Sequence, residues 1–137
     1  MWGKPQTVAG VGVDNDHHMD GFSVRIVAAR DRAFVRPAGE LDLAAVPELE
    51  AAIGGALDGH KQLVVDLRDV TFLDTEGLKA LIEAAAVAAE RHVTFRLVRG
   101  RRSVERIFEL TETRSRFEFV DGPSDGELDS SFSAVGS

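Results

Sequence analysis

Two predicted strands open the patterned part of the chain. Residues 22–28 alternate between apolar and polar positions in the way that is typical of a half-buried strand, and residues 33–38 are predicted as its hairpin partner. The polar connection between them is short, which predicts an antiparallel hairpin, and Pro37 is expected at an edge or near the end of the second strand. Residues 39–42, with the sequence Gly-Glu-Leu-Asp, are predicted to turn the chain.

Apolar residues at helical spacing follow in two segments. In the first, Asp42 is the expected cap of an opening turn, and Pro47 is expected where the helix restarts and continues to Leu57. The second helix is predicted between Asp74 and Arg91 from apolar residues at positions 78, 81, 82, 85 and 89. The apolar stripe of each helix is expected to pack on a sheet.

A third helix is expected after residue 102. Ser103 is its predicted N-cap, and the residues predicted to face inward are Val104, Ile107, Phe108 and Leu110. The pattern therefore indicates three helices that pack on the same sheet.

Short apolar runs lie between and after the helices. Residues 63–67, 93–98 and 117–120 are predicted as strands, and residues 68–74 as a loop. The element order is β-β-α-β-α-β-α-β. Strands separated by single helices favour parallel pairing through right-handed crossovers, whereas the opening hairpin is antiparallel. The sequence therefore predicts an α/β fold with a mixed sheet and packed helices.

Length and composition fit a single domain. The chain has 137 residues, of which 44% are hydrophobic and 28% are charged, and a domain of this size needs neither disulfides nor a structural metal to fold. Residues 1–20 and 121–137 lack a periodic apolar face, so we expect flexible tails on either side of an ordered domain at residues 21–120. The absence of cysteine excludes thiol catalysis.

Net charge, apolar runs and known catalytic motifs each exclude a class of function. A formal net charge of −7 argues against direct binding of nucleic acid. No apolar run approaches the roughly 20 residues of a membrane span, and the N-terminus lacks the layout of a signal peptide, so we expect a cytoplasmic protein without membrane insertion. No P-loop, GxGxxG or GxSxG motif occurs, so we expect a binding protein with no cofactor rather than an enzyme.

Two groups of charged residues are candidate ligand sites. The acidic residues Asp66, Asp69, Asp74 and Glu76 lack the spacing of a calcium loop, and the histidines lack paired ligand spacing, so no metal site is expected. A basic group surrounds the start of the third helix and is either a solvated face or a phosphate or nucleotide site; it consists of Arg91, Arg96, Arg99, Arg101, Arg102 and Arg106.

Two motifs in the middle of the chain resemble one known family. LVVDLRDVTFLDTEGL at residues 63–78 resembles the signature of the STAS family, the domains of sulfate transporters and anti-sigma factor antagonists. That signature reads hydrophobic-V-D-L-x-x-V-x-F-hydrophobic-D-S-S-G-L. Upstream, GELDLAAVPELEAAI at residues 39–53 resembles the family's entry into the first helix. The match extends over residues 22–120 and implies a mixed sheet of four or five strands with helices.

The resemblance implies a regulatory role. A free-standing domain of this family is an anti-sigma factor antagonist, which binds an anti-sigma factor with a kinase-like ATPase fold and releases a sigma factor. The anti-sigma factor phosphorylates the first serine of the DSSG motif, which prevents binding, and a phosphatase restores the active form. That position is Thr75 here, so Thr75 is the expected phosphorylation site. The expected partner-binding residues are Asp42, Asp74, Thr75, Glu76, Gly77 and Leu78.

The loop departs from the family at its second serine, which is Glu76 in this chain. Glu76 has three interpretations: it favours the N-terminal turn of the second helix through the helix dipole, it tunes partner choice, or it mimics a permanent phosphate. Asp74 and Asp42 are each interpreted first as helix caps, although Asp74 could also orient the Thr75 hydroxyl and Asp42 could face a partner. Gly77 is expected to let another backbone approach closely.

Two other functions are compatible with the resemblance. One is an accessory subunit of a membrane lipid-transport ATPase complex, in which the same helix packs on an ATPase subunit. The other is a nucleotide-binding protein, suggested by the arginine group. The sequence leaves open which anti-sigma factor is bound and what the oligomeric state is.

Overall fold

The computed structural model describes residues 17–19 and 21–122. In these residues the strands are β1 (His17–Met19), β2 (Phe22–Ala29), β3 (Arg32–Leu41), β4 (Gln62–Asp66), β5 (Asp69–Leu73), β6 (Thr94–Val98) and β7 (Glu118–Val120). The helices are α1 (Val46–Leu57), α2 (Thr75–Glu90) and α3 (Arg102–Leu110), with 3-10 turns at Leu43–Ala45 and Arg114–Arg116. The predicted α/β fold is confirmed, but the predicted order lacks β1 and β5.

One mixed sheet contains all of these strands. Its order is β1-β2-β3-β4-β6-β7, and β5 pairs with β3 beyond the end of β4. The pairs β1–β2 and β2–β3 are antiparallel, and the other pairs are parallel. The predicted hairpin between β2 and β3 is confirmed, with Ala29 opposite Arg32.

The loop predicted at residues 68–74 is wrong for most of its length, because Asp69–Leu73 form β5. The long strand β3 pairs with β4 through residues 32–35 and with β5 through residues 38–41. The part of β3 that extends past β4 carries backbone groups that need hydrogen-bond partners, and β5 supplies them. A short segment with only two buried residues therefore becomes a strand, which its own apolar pattern did not indicate.

The turn predicted at residues 39–42 is also wrong, because β3 continues through Leu41. The pairing of β3 with β5 is irregular there, with a register shift between Gly39 and Glu40. Gly39 has a φ of 102°, and a β-carbon on it would overlap the backbone carbonyl of Gly21. Glycine at this position therefore allows the strand to bulge instead of turning.

Pro37 lies inside β3 and not at its end, contrary to the expectation. It falls between the last pair with β4, at Val35, and the first pair with β5, at Ala38. At this gap β3 has no parallel neighbour to receive a hydrogen bond from residue 37, so the missing N–H of proline is tolerated.

The N-terminal tail predicted at residues 1–20 is corrected in one part. His17–Met19 form β1, which pairs antiparallel with β2. Gly21, with a φ of 77°, lies in the two-residue connection between these strands. The Asp-Gly sequence of that connection is a hairpin signal that the compositional argument missed. The rest of both predicted tails, apart from residues 121–122, lies outside the described residues.

The three helices pack on one face of the sheet. The main core joins their inner sides to the strands and includes one fully buried large residue from each helix, Leu49, Leu81 and Phe108. A separate small cluster on the other face contains Phe34, Val64 and Val98. Since strands β3 to β7 run in one direction, their C-terminal ends and the starts of the helices lie at one edge of the sheet.

The start of α3 and one of its inward residues differ from the prediction. Arg101 is the N-cap, without a side-chain hydrogen bond to the helix, and Ser103 lies inside the helix. Val104 and Phe108 are buried as predicted, but Leu110 is 70% exposed. Leu110 comes two positions after Phe108, which corresponds to about 200° of helical rotation and places it on the opposite side.

Candidate functional site

The ends of β3 and β5 lie side by side and lead into the two helices that surround the STAS-like loop. Leu41, the last residue of β3, is opposite Leu73, the last residue of β5. The backbone N–H of Asp74 donates a hydrogen bond to the Leu41 carbonyl oxygen at 3.3 Å. Asp42 and Asp74 therefore occupy equivalent positions, each one residue past the end of its strand. We call this part of the molecule the β3–β5 edge; it comprises residues 40–43 and 72–76.

Asp42 caps the turn that precedes α1. Its side-chain Oδ1 accepts a hydrogen bond from the Ala45 N–H at 3.2 Å, which satisfies one of the free donors at a helix start. Pro47 lies in the first turn of α1, as predicted. The capping interpretation of Asp42 is confirmed, and its half-buried side chain remains partly accessible at the edge.

Asp74 caps α2 in the same way. Its backbone is extended, and Oδ1 accepts a hydrogen bond from the Gly77 N–H at 2.9 Å. The Leu78 N–H donates to the Asp74 carbonyl oxygen at 3.0 Å. These two bonds fix the backbone on either side of Thr75, so the capping interpretation of Asp74 is confirmed and the loop is preorganised.

Thr75 is the first residue of α2 and is exposed. Its hydroxyl therefore lies at the positive end of the helix dipole, on a surface that another protein can reach. The neighbouring Glu76 is half-buried in the first turn, and Lys79 Nζ lies 3.4 Å from its Oε2. An acidic residue in the first turn is favoured by the dipole, which supports the first of the three interpretations of Glu76.

Gly77 and Leu78 do not belong to the accessible surface. Both are buried, and a β-carbon on Gly77 would overlap the Leu41 carbonyl oxygen. The backbone that approaches Gly77 is thus part of the same chain, and contact of these two residues with a partner stays a prediction. They hold the edge in place from within.

Three accessible residues of the edge were missed in the sequence. Leu43 is 64% exposed, and Phe72 is 51% exposed. Glu40 is exposed in the pair with Phe72 across β3 and β5. Phe72 occupies the phenylalanine of the family signature, but the loop prediction gave no reason to place it on a strand. Nothing in the sequence indicated that Leu43 is exposed, because it comes three residues before Val46 and so fits the helical spacing of the apolar stripe.

A buried ion-pair network fixes the point where β4 passes into β5. Asp66 is fully buried, and its carboxylate accepts hydrogen bonds from the Arg68 backbone N–H at 3.0 Å and the Arg68 side chain at 2.7 Å. Asp66 thus anchors the turn amide of Arg68 directly after β4. Arg36 Nε lies 3.8 Å from Asp66 and donates to Asp69 at 2.9 Å. Arg36 therefore ties the end of β4 to the start of β5, and so supports the edge.

The arginine group is divided: Arg102 and Arg106 line a pocket on α3 together with Glu105 and Glu109. Arg91, Arg96 and Arg99 each form an ion pair with a different acidic residue, at distances of 3.2, 3.0 and 3.4 Å.

Within residues 17–19 and 21–122, no group of three or more acidic or histidine side chains is arranged to hold a metal ion. None of the helices in this described part is both long and apolar enough to cross a membrane.

Comparison with known proteins identifies relatives of this domain. The sequence model of a family described as "Mlab, STAS domain" matches residues 24–114. The crystal structure of an anti-sigma factor antagonist from Mycobacterium paratuberculosis is 29% identical, with a TM-score of 0.64, and the match covers 82% of this chain and 96% of that chain.

Two more distant structures share the fold. The Bacillus cell fate determinant SpoIIAA in its phosphorylated form is 16% identical, with a TM-score of 0.60, and the match covers 79% of this chain and 98% of that chain. The murine anion transporter Slc26a9 is 18% identical, with a TM-score of 0.60, and the match covers 78% of this chain but 19% of the transporter. At these identities the likeness shows the fold alone.

The family match includes both motifs on which the resemblance rests, and it extends from β2 to the 3-10 turn before β7. The strand order and the capped start of α2 place those motifs at one edge of the sheet. The chain belongs to the STAS domain family.

Proposed function

We propose that this chain is an anti-sigma factor antagonist, which binds an anti-sigma factor with a kinase-like ATPase fold and thereby releases a sigma factor. The observation that carries the proposal is the exposed Thr75, the first residue of α2, directly after the capping Asp74. The similarity to the antagonist from Mycobacterium paratuberculosis extends over nearly all of that protein and supports this role. The chain acts by binding and supplies no catalytic group.

The docking surface is the accessible part of the β3–β5 edge. Asp42, Asp74, Thr75 and Glu76 reach its surface, whereas Gly77 and Leu78 hold its shape from inside. Both caps are formed in the free chain. Because the backbone is already ordered, binding costs little additional conformational entropy.

Phosphorylation of Thr75 switches the surface off. The anti-sigma factor transfers the γ-phosphoryl group of bound ATP to the Thr75 hydroxyl oxygen: the new O–P bond forms, the bond to the β-phosphate oxygen breaks, ADP leaves and the hydroxyl proton is released. The phosphate adds about −1.5 to −2 charges, and burying it in a packed interface requires its desolvation. A phosphatase reverses the step by hydrolysis.

The fold tolerates this modification. A phosphate on the first residue of α2 lies at the helix N-terminus, where the free N–H groups and the dipole favour negative charge. The switch therefore acts on docking and not on folding. SpoIIAA, which shares the fold, has been solved in both unphosphorylated and phosphorylated forms.

The test is calorimetric titration with the purified kinase-like anti-sigma factors of the source organism, each used separately. We expect one of them to bind the wild type and Thr75→Ala, and to bind Thr75→Asp at least tenfold more weakly. Thr94→Asp is the matched control, because Thr94 is also exposed but begins β6 at the opposite edge of the sheet. Equal binding of Thr75→Asp and Thr75→Ala would contradict the switch.

Purification from the native cell distinguishes this proposal from an accessory subunit of a lipid-transport ATPase. An accessory subunit of a lipid-transport ATPase would co-purify with membrane ATPase subunits, and both wild type and Thr75→Asp would retain them. The proposal predicts that a kinase-like protein is retained by the wild type and lost by Thr75→Asp.

A further inference from the structure

The β3–β5 edge carries an unusual share of exposed apolar surface. The described residues contain three large hydrophobic side chains that are strongly exposed: Leu43, Phe72 and Leu110. Two of the three lie on this edge, and the third is on the outer side of α3. Leu43 and Thr75 hold equivalent positions, each one residue past the aspartate that follows its strand. Phe72 lies three residues before Thr75, as the penultimate residue of β5.

Neither side chain is needed by the core. With exposed fractions of 64% and 51%, Leu43 and Phe72 leave at least half of their surface in water, although the neighbouring Leu41 and Leu73 are buried. Isolated exposed apolar residues are ordinary on protein surfaces, but a cluster at one place marks an interaction site. Removing this surface from water on binding is favourable.

Acidic groups border the two apolar side chains. Glu40 is exposed opposite Phe72, Asp42 precedes Leu43, and Glu76 follows Thr75 with its side chain 40% exposed. Lys79 contributes the nearby basic group on α2. The edge therefore presents apolar anchors inside a predominantly negative rim, and the complementary surface has apolar pockets bordered by arginine or lysine.

We propose that Leu43 and Phe72 are the anchors by which this chain binds its protein partner, and that the partner presents two apolar pockets with a basic rim. This proposal rests on the proposed function and specifies the chemistry of that partner. Rim charges steer the approach, whereas the apolar anchors hold the complex once it is formed. Because Thr75 holds the position after β5 that Leu43 holds after β3, a phosphate on Thr75 must be desolvated when the anchors are buried, and we expect this cost to outweigh attraction to the partner's basic groups.

The anchors are tested with Leu43→Ser and Phe72→Ser, titrated into the anti-sigma factor that binds the wild type. We expect each change to weaken binding at least tenfold, with an increased dissociation rate. Leu110→Ser is the matched control, since Leu110 is exposed to a similar degree but lies outside the edge, and its binding is expected within twofold of the wild type. Circular dichroism of each variant checks that the fold is retained.

The rim is tested by the association rate. Glu40→Lys is expected to slow association at least threefold at low salt, and the matched charge reversal Glu90→Lys, at the far end of α2, is expected to leave the rate within twofold of the wild type. Added salt should reduce the wild-type association rate.

The outcomes separate this proposal from the proposed function. If the wild type binds an anti-sigma factor and the two anchor variants bind as well as Leu110→Ser, Leu43 and Phe72 are not anchors, but the proposed function stands. If Glu40→Lys associates as fast as Glu90→Lys, the partner has no basic rim opposite Glu40. If the wild type binds none of these partners, both proposals fail. Self-association of the free chain that Phe72→Ser abolishes would assign the patch to a second copy and overturn the proposal.

Discussion

The backbone of Leu41 lies so close to Gly77 that a β-carbon on residue 77 would overlap the Leu41 carbonyl oxygen. The same carbonyl oxygen accepts the hydrogen bond of the Asp74 N–H. One peptide group at the end of β3 thus contacts both the cap of α2 and its first turn. This contact makes the start of α2 part of the sheet edge and gives Thr75 a fixed position.

Gly77→Ala tests this contact, because the contact decides whether the substitution raises or lowers the free energy of unfolding. Helix propensity alone favours alanine over glycine by about 1 kcal/mol. Overlap with the Leu41 carbonyl forces the backbone to shift, which typically costs about 1–3 kcal/mol. We therefore expect a lower free energy of unfolding by urea denaturation. A stabilised variant would show that α2 does not approach β3 this closely.

Asp74→Ala tests the cap of α2. Loss of the hydrogen bond from the Gly77 N–H is expected to lower the free energy of unfolding by about 1 kcal/mol. Asp74→Asn keeps an acceptor oxygen and serves as the control, with stability close to that of the wild type. If the alanine variant were as stable as the asparagine variant, the cap would be unimportant for the fold.

Asp66→Ala and Asp69→Ala compare two carboxylates that share Arg36. Asp66 is buried, and its carboxylate is shared by Arg68 and Arg36, so its removal is expected to cost up to about 3 kcal/mol. The Asp69 side chain is 47% exposed, and its removal is expected to cost less than about 1 kcal/mol. Urea unfolding of both variants measures the difference. Equal losses would mean that Asp66 does not anchor the passage from β4 to β5.

The N-cap of α3 is Arg101 in the structure, whereas the sequence predicted Ser103, and substitutions at these two positions test which residue caps the helix. If Arg101 is the N-cap, Arg101→Ser supplies a capping oxygen and is expected to stabilise the protein by about 0.5–1 kcal/mol. Ser103→Ala then changes a position inside the helix and is expected to be neutral or slightly stabilising. A loss of about 1 kcal/mol in Ser103→Ala would instead show that Ser103 caps the helix. Thermal unfolding of the two variants provides the measurement.

The helices and the interior strands could be predicted because their apolar residues repeat with a clear period. The caps Asp42 and Asp74 could also be predicted, since a capping aspartate acts on backbone groups within three residues. The strand β5 could not, because its pairing depends on the free edge of β3, more than 25 residues earlier in the chain. Because β5 was not predicted, the sequence could not show that Phe72 lies beside β3 at the β3–β5 edge.

The candidate site, like the fold, could be predicted from the sequence only in part. The family motif locates Thr75, and the structure adds which neighbours of Thr75 reach the surface. Gly77 and Leu78 are adjacent to Thr75 in sequence but buried, whereas Leu43 is distant in sequence and exposed on the same edge. Accessibility depends on tertiary packing, so a motif of consecutive residues does not reveal it.

The most direct test of the central claim is release of a sigma factor. The chain is titrated into a preformed complex of the anti-sigma factor and its sigma factor, and free sigma factor is measured by size-exclusion chromatography. We expect wild type and Thr75→Ala to release the sigma factor in proportion to the amount added, and Thr75→Asp to release none. No release by the wild type, or equal release by Thr75→Asp, would contradict it.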